Sequence, residues 1–185
     1  MFPQRRIPVK TVLLHEFAHG LIAYRRGLQV NCIVLCELGF AHDGTRREYV
    51  SKDGNATEIG NLRLPDGTYD PNKFHSIRDI ATAGIAAELL AQNGGLDRAA
   101  FFKELDHADN SDDRRMLVAA MPQGLDADVV WAAASRIGSE LKPSMLSILA
   151  EAERLARSHS EIGSRLIELG AAEVQSNLKM INSLL

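Results

Sequence analysis

Two patterns of apolar residues in the first part of the chain predict a helix followed by a strand. Residues 8–26 are apolar on nearly every side of a helix, which is typical of a buried helix. Pro8 suits its first turn, and Gly27 suits a left-handed end. Residues 29–36 are rich in β-branched and apolar side chains, which predicts a buried strand.

The middle of the chain is rich in turn signals and then becomes helical again. Residues 47–51 and 56–64 flank Asp53-Gly54, which predicts a β-hairpin. Asp70-Pro71 suits the start of a second long helix that ends near Gln92. Its residues 80–91 are small or apolar with few exceptions, so this helix is also predicted to be buried.

Shorter helices are predicted over residues 97–105 and 111–121, and the chain is predicted to be helical from Asp126 to its end. The predicted C-terminal segments are 126–141, 144–159 and 160–185. They carry no recognisable chemistry, and we expect them to supply contacts within the core or in a homo-oligomer. The whole pattern predicts an α+β fold, mostly α-helical with a small β-sheet.

Composition narrows the class of protein. The chain has 185 residues and a net charge of −3, which argues against a nucleic-acid partner. No apolar run approaches the roughly 20 residues needed to span a membrane, so we expect a cytoplasmic protein with no membrane partner. Cys32 and Cys36 would lie about 13 Å apart on a strand. That is too far for a disulfide, and both are predicted to be buried apolar side chains.

Candidate chemistry lies in the first helix, where residues 15–19 form an H-E-x-x-H motif. His15 and His19 are four residues apart, so they share one helix face and could both reach one zinc ion at about 2.0–2.1 Å. Glu16 lies beside such an ion and could take a proton from water that the metal activates. The motif thus predicts a zinc site with two ligands and a general base.

A third ligand is needed, and spacing leaves four candidates open. Glu88 is a carboxylate on an otherwise apolar helix face, so it requires a cation, a donor or a metal nearby. Asp112 and Asp113 lie in the first turn of a predicted helix, where capping alone could explain them. His107 is the fourth candidate. All four follow His19 by many residues, so sequence spacing does not decide among them.

Three segments, in this order, resemble the peptidase domain of FtsH, the membrane-anchored AAA+ zinc protease. The first is the motif at 15–20. The second, 83–88, resembles the family's G-G-R-A-A-E, with Ile85 in place of the arginine. The third, 110–116, resembles a helix start reading S-N-D, whose aspartate is the third zinc ligand. The resemblance covers about residues 9–121.

This resemblance implies a zincin-like metallopeptidase domain, with residues 1–122 as the zinc-site core and 123–185 as a C-terminal helical part of one domain, 1–185. It implies that His15, His19 and Asp112 hold zinc, that Glu16 is the catalytic base, and that Glu88 accepts a hydrogen bond from a ligand histidine. It also implies that residues 37–40 offer a strand edge to a substrate peptide.

The chain has no Walker A sequence, so we expect a stand-alone FtsH-like peptidase that acts on peptides or unfolded proteins. Folded substrates would have to be delivered by a separate ATPase. The alternative is a catalytically silent metal-binding regulatory or adaptor domain. The intact Glu16 favours the enzyme, because a silent domain has no need of that base.

Overall fold

The computed structural model describes residues 7–35, 49–50, 56–107, 110–162 and 167–183. This part of the chain is mostly helical, with a small antiparallel sheet of three strands, and the predicted α+β class is confirmed. The helices are α1 Val9–Arg25, α2 Phe74–Asn93, α3 Arg98–Leu105, α4 Ser111–Ala119, α5 Ala127–Leu141, α6 Met145–Ile162 and α7 Ala171–Ser183. The strands are β1 Ile7–Pro8, β2 Val30–Leu35, β3 Tyr49–Val50, β4 Ala56–Ile59 and β5 Ile167–Leu169.

Helix α1 is the centre of the fold, as its uniformly apolar sequence predicts. It packs against α2 and α6 on one side and against β2, β4 and α7 on the other. Its buried residues run without a break from Val12 to Ala23. The helix ends before Gly27, whose φ of 71° is in the left-handed region that favours glycine. A helix surrounded in this way can carry polar side chains only where they find partners.

A second apolar cluster fixes α3, α4 and α5 on the side of α2 away from the sheet. Its buried members are Ala81, Ile85, Leu89, Phe101, Leu105, Leu117, Met121, Val130 and Ala134. Asp97 caps α3 and Asp126 caps α5, each by accepting hydrogen bonds from backbone N–H groups of the first turn. Because Leu117 belongs to this cluster, α4 is held with one face towards α2. This packing sets the direction of the acidic side chains at the start of α4.

The sheet differs from the predicted hairpin. Strands β3 and β4 do not pair with each other: β3 pairs with β1, and β4 pairs with the central strand β2. The other edge of β2 is occupied by β5, which lies inside residues 160–185, a segment that we predicted as helix. The predicted break at residues 158–160 is also wrong, since α6 continues to Ile162. Local turn signals do not identify the partner of a strand, and these pairings are set by packing against α1 and α7.

An ion-pair cluster closes the C-terminal end of α1, and we call Arg26, Asp79, Arg136 and Glu140 the arginine cluster. Asp79 is fully buried on α2, where its Oδ2 accepts a hydrogen bond of 2.9 Å from Nε of Arg26 and its Oδ1 pairs with Arg136. Arg26 also donates two hydrogen bonds, of 3.1 and 2.7 Å, to the carboxylate of Glu140. Hydrogen bonding to Glu140 raises the pKa of Arg26 above its usual value. The buried charge of Asp79 is therefore compensated by two arginines.

Among the described residues, no helix combines the length and the apolar character that crossing a bilayer requires. Cys32 is half-buried rather than buried, with its Sγ 3.5 Å from Oε2 of Glu58, and burial raises the pKa of this thiol. Cys36 lies outside the described residues.

Candidate metal centre

His15 and His19 lie one turn apart on the buried middle of α1, as the motif predicts. Their side chains are 6% and 8% exposed, and the rings meet edge to face with centroids 4.5 Å apart. Two buried imidazoles this close need defined hydrogen-bond partners, because an unsatisfied polar atom in the core is costly. The hydrogen-bond partner of each ring determines which of its two nitrogens is available to bind a metal ion.

Both rings use Nδ1 to bind α2. Nδ1 of His15 donates to Oε1 of Glu88 at 2.6 Å, and Nδ1 of His19 donates to the backbone carbonyl of Ile80 at 2.7 Å. A carbonyl only accepts hydrogen bonds, so the proton of His19 is on Nδ1. These contacts orient both rings and direct both Nε2 atoms to the same side. Such outer contacts are typical of metal-binding histidines, whose other nitrogen is held by a carboxylate or a carbonyl.

Asp113, in the first turn of α4, faces the two Nε2 atoms. Its Oδ2 is 3.2 Å from Nε2 of His15, and its Oδ1 is 3.2 Å from Nε2 of His19. Burial would raise the pKa of Asp113, but the charges that the two imidazoles can carry outweigh burial and hold it below its usual value. Oδ2 is buried and accepts no well-oriented hydrogen bond from the described residues. The nearest nitrogen to this oxygen is Nε2 of His15, which is a donor only when the imidazole is charged.

The three side chains fit a metal ion. Their ligand atoms lie within 4.8 Å of one another. Two atoms that bind one zinc ion at about 2.0–2.1 Å with tetrahedral angles stand about 3.3 Å apart, close to the separations observed here. Because Nδ1 of each ring binds α2, Nε2 of a neutral imidazole is an acceptor, and only a charged imidazole offers Asp113 a donor. A divalent cation between them would satisfy all three atoms at once.

Gly84 makes room for this arrangement. A Cβ atom at this position of α2 would lie within 3.0 Å of three atoms of the His15 ring. No side chain larger than hydrogen therefore fits while the imidazole keeps its place. Gly20, next to His19, has a different setting: a Cβ there would meet Leu178 at 3.5 Å, an ordinary contact. The close backbone approach needed at this site is thus at Gly84.

Glu16 follows His15 on α1 and is not one of the three side chains that could hold a metal ion. Its side chain is buried, and the hydroxyl of Thr57 on β4 lies 2.8 Å from its Oε2 and 2.9 Å from its backbone carbonyl. The hydroxyl therefore holds the carboxylate against the sheet. Glu16 also lines the same cavity as the two histidines. This position leaves it able to exchange a proton with a molecule bound in the cavity.

The cavity above the cluster has a volume of about 510 Å³. It is bounded by α1 on its floor, by β4 and the loop that follows it on one side, and by the start of α4 on the other. An extended peptide rises about 3.4 Å per residue, so a cavity of this size accommodates a few residues. His15, His19 and Asp113 all line its wall, and a bound molecule therefore has direct access to any ion that they hold.

The structure brings together some of the predicted site residues and separates others. His15, Glu16, His19 and Glu88 meet as described above. Asp112 does not join them: its side chain is 76% exposed and pairs with Arg115 at 3.0 Å. Its neighbour Asp113, one of the four candidates left open by the spacing, faces the two histidines instead.

Two other predicted features do not form part of the described cluster. His107 follows α3 and is not among the residues that converge on the possible metal position. Residues 37–40, for which we expected a substrate-binding strand edge, lie outside the described residues.

Sequence reasoning missed Thr57 and the packing role of Gly84. No local signal singles out Thr57, since its contact with Glu16 depends on the pairing of β4. A signal for Asp113 was present, however. Asp113, Met116 and Leu117 follow the spacing of a buried helix stripe, so the carboxylate of Asp113 lies on the apolar face of α4. Asp112 lies about 100° away around the helix, on the polar face.

Comparisons with protein-family models, with curated proteins and with solved structures found no match for this chain. The function is therefore inferred from the chemistry and geometry of the site.

Proposed function

We propose that the chain is a zinc-dependent peptidase whose metal ligands are His15, His19 and Asp113 and whose general base is Glu16. One observation carries this proposal: both Nε2 atoms converge on the two oxygens of one buried carboxylate, each at 3.2 Å. The convergence joins two helices that are distant in sequence, and it buries a carboxylate opposite two imidazoles whose Nδ1 atoms already bind α2. Such an arrangement is costly unless a cation binds there.

The donor set favours zinc among the common metals. Two imidazole nitrogens and one carboxylate oxygen suit zinc, whereas calcium and magnesium prefer oxygen ligands. Three protein ligands beside an accessible cavity leave a fourth position for water or substrate, which is typical of catalytic zinc sites. When bound, zinc would polarise the scissile carbonyl and lower the pKa of the attacking water to about 7.

Glu16 supplies the proton transfer that peptide hydrolysis requires. Its carboxylate is held by Thr57 at the cavity wall next to His15. From there it can accept the proton of the attacking water and return it to the amine of the departing peptide. The Glu88 carboxylate acts through His15, because its hydrogen bond to Nδ1 fixes the tautomer that leaves Nε2 available.

The proposal includes the zincin-like and FtsH-like character suggested by the sequence, with Asp113 replacing Asp112 as the third ligand. Supporting features are an H-E-x-x-H motif on a buried helix, a neighbouring sheet, and the contact between Glu88 and His15. Peptides and unfolded proteins are the proposed substrates. Folded proteins would need a separate ATPase for delivery, because the cavity admits only a short extended segment.

A combined metal and activity assay tests this function. Purified protein should bind one equivalent of zinc. The zinc-loaded protein should digest unfolded casein, and a chelator should abolish the digestion. Glu16→Gln should keep the zinc and lose about 10²–10⁴-fold in rate, because only the base is removed. Zinc binding without digestion by the parent protein would favour the silent metal-binding domain. Absence of zinc binding would contradict both interpretations.

A further inference from the structure

Arg63 is an exposed side chain on a hydrogen-bonded loop at the wall of the same cavity. The loop is closed by hydrogen bonds from the backbone N–H of Asp70 to the carbonyl of Leu62, at 2.9 Å, and from Leu64 to Thr68, at 2.8 Å. Asn61 enters it with a φ of 62°, a left-handed conformation that is uncommon for a residue with a side chain. Such backbone conformations persist where the surrounding structure enforces them, often at binding sites.

The guanidinium of Arg63 is held in place by groups that do not neutralise it. Its Cζ lies 4.0 Å from the centre of the Tyr69 ring, and its Nη1 donates to the carbonyl of Gly67 at 2.7 Å. A guanidinium has five N–H donors in a planar fork, so most of them remain available. Stacking on an aromatic ring reduces the entropy that this side chain would lose on binding a ligand.

The acidic groups of the cavity are already engaged elsewhere. Asp113 faces the imidazoles, and Asp112 pairs with Arg115. Glu58 accepts contacts from Asn31 and Cys32 on the neighbouring strand, and Glu16 is held by Thr57. Among the described residues, no carboxylate pairs with Arg63. Arg115, the other arginine that lines the cavity, is paired with Asp112, so the exposed guanidinium of Arg63 is the one that remains available to a ligand's carboxylate among the described residues.

We propose that Arg63 is a carboxylate-binding subsite that selects peptides with a negative charge near the scissile bond. The ligand is a carboxylate, supplied either by an acidic side chain or by the free C-terminus of the peptide. The planar fork of Arg63 matches a carboxylate in a two-point contact, which an amide of the same shape cannot reproduce. This inference rests on the proposed peptidase function, since it names the substrates of the same cavity.

The test uses zinc-loaded full-length protein and fluorogenic peptides of one sequence that differ at a single group. The first pair compares Glu with Gln and is repeated for each position within three residues of the scissile bond. The second pair compares a free C-terminal acid with the C-terminal amide. The parent should favour the charged member of at least one pair by about tenfold in kcat/KM, chiefly through KM. The pair that shows this preference identifies the source of the carboxylate.

Arg63→Met should remove the preference while leaving kcat on the neutral peptide unchanged, because the zinc ligands and Glu16 are not altered. Arg63→Lys should keep part of the preference, since the charge remains but the planar fork is lost. Arg157→Met, an equal change of charge on α6, is the matched control and should keep the full preference. An Arg63→Met variant as selective as the parent, or a parent with no preference in either pair, would overturn the proposal.

A binding arm separates this inference from the peptidase function. If the zinc-loaded parent cleaves no peptide, the peptidase proposal fails, and fluorescence anisotropy of the same labelled peptides still reports on the subsite. Tighter binding of the charged peptide that is lost in Arg63→Met would support it. Equal binding of charged and neutral peptides would contradict it.

Discussion

Two buried carboxylates, Asp79 and Asp113, lie close to helix α1, and they differ in how their charge is compensated. In the arginine cluster, the buried carboxylate of Asp79 receives hydrogen bonds from Arg26 and pairs with Arg136. In the candidate metal centre, the buried carboxylate of Asp113 faces Nε2 of two imidazoles whose Nδ1 atoms bind α2. The first cluster is compensated by arginines of the chain, whereas the second is a group of side chains that could hold a metal ion.

The way in which each buried carboxylate is compensated distinguishes a cluster that stabilises the fold from one that could bind a ligand. Burial of a carboxylate is costly unless a nearby charge or donor compensates it. The arginine cluster provides that compensation within the chain and joins α1, α2 and α5. No lysine or arginine of the described residues pairs with Asp113 in the candidate metal centre, so under the proposed function a bound ion would supply the compensation. Each of the following variants is expected to affect one cluster and leave the other intact.

The largest effect is expected from Asp79→Ala. It removes the contacts of this buried carboxylate with Arg26 and Arg136, which are charge-assisted, so we expect a loss of about 3 kcal/mol in the free energy of unfolding. Urea unfolding of the zinc-free protein measures this loss. Zinc content of the folded variant should stay at one equivalent, and a variant that loses zinc without losing stability would contradict the separation of the two clusters.

Gly84→Ala is expected to disrupt the metal centre next most strongly. The new methyl group would overlap the His15 ring, so the imidazole or the helix must move and zinc affinity should fall more than about 100-fold. Competition with a chromophoric chelator measures the affinity. Gly20→Ala is the matched control on α1: its methyl group meets Leu178 at 3.5 Å, so affinity should stay within about twofold. Equal losses in both variants would show that the close approach at Gly84 is unimportant.

A smaller effect is expected from Glu88→Gln. The amide oxygen can still accept a hydrogen bond from Nδ1 of His15, but the negative charge is lost, so zinc affinity should fall about 10- to 100-fold. Glu151→Gln serves as the control, because Glu151 is also buried but is bound by Arg154 on α6. A full loss of zinc in Glu88→Gln would instead make Glu88 a ligand.

Much of the helical part of this fold could be predicted because its signals are local. Asp97 and Asp126 are the N-caps of their helices, and Gly27 and Gly94 follow the ends of α1 and α2 in left-handed conformations. Strand pairing depends on contacts that are distant in sequence. The turn signals therefore do not predict that β3 pairs with β1, that β4 pairs with β2, or that β5 pairs with β2.

The candidate site also has one part that local signals predict and one part that depends on contacts distant in sequence. His15, Glu16 and His19 lie within one helix turn, so their relation follows from helix geometry. The third acidic side chain is on another helix, and one residue of offset on α4 turns it by about 100°. The family-like motif favoured Asp112, whereas the apolar stripe through Leu117 favours Asp113. Packing of α4 against α2 settles which side chain faces the histidines.

The most direct test of the metal centre is the zinc affinity of Asp113→Asn beside that of Asp112→Asn. Both variants remove one negative charge from the same helix turn, so any general electrostatic effect is shared. The account predicts that Asp113→Asn weakens zinc binding by more than about 100-fold and that Asp112→Asn changes it by less than about threefold. An empty site in Asp112→Asn together with a filled site in Asp113→Asn would contradict the assignment.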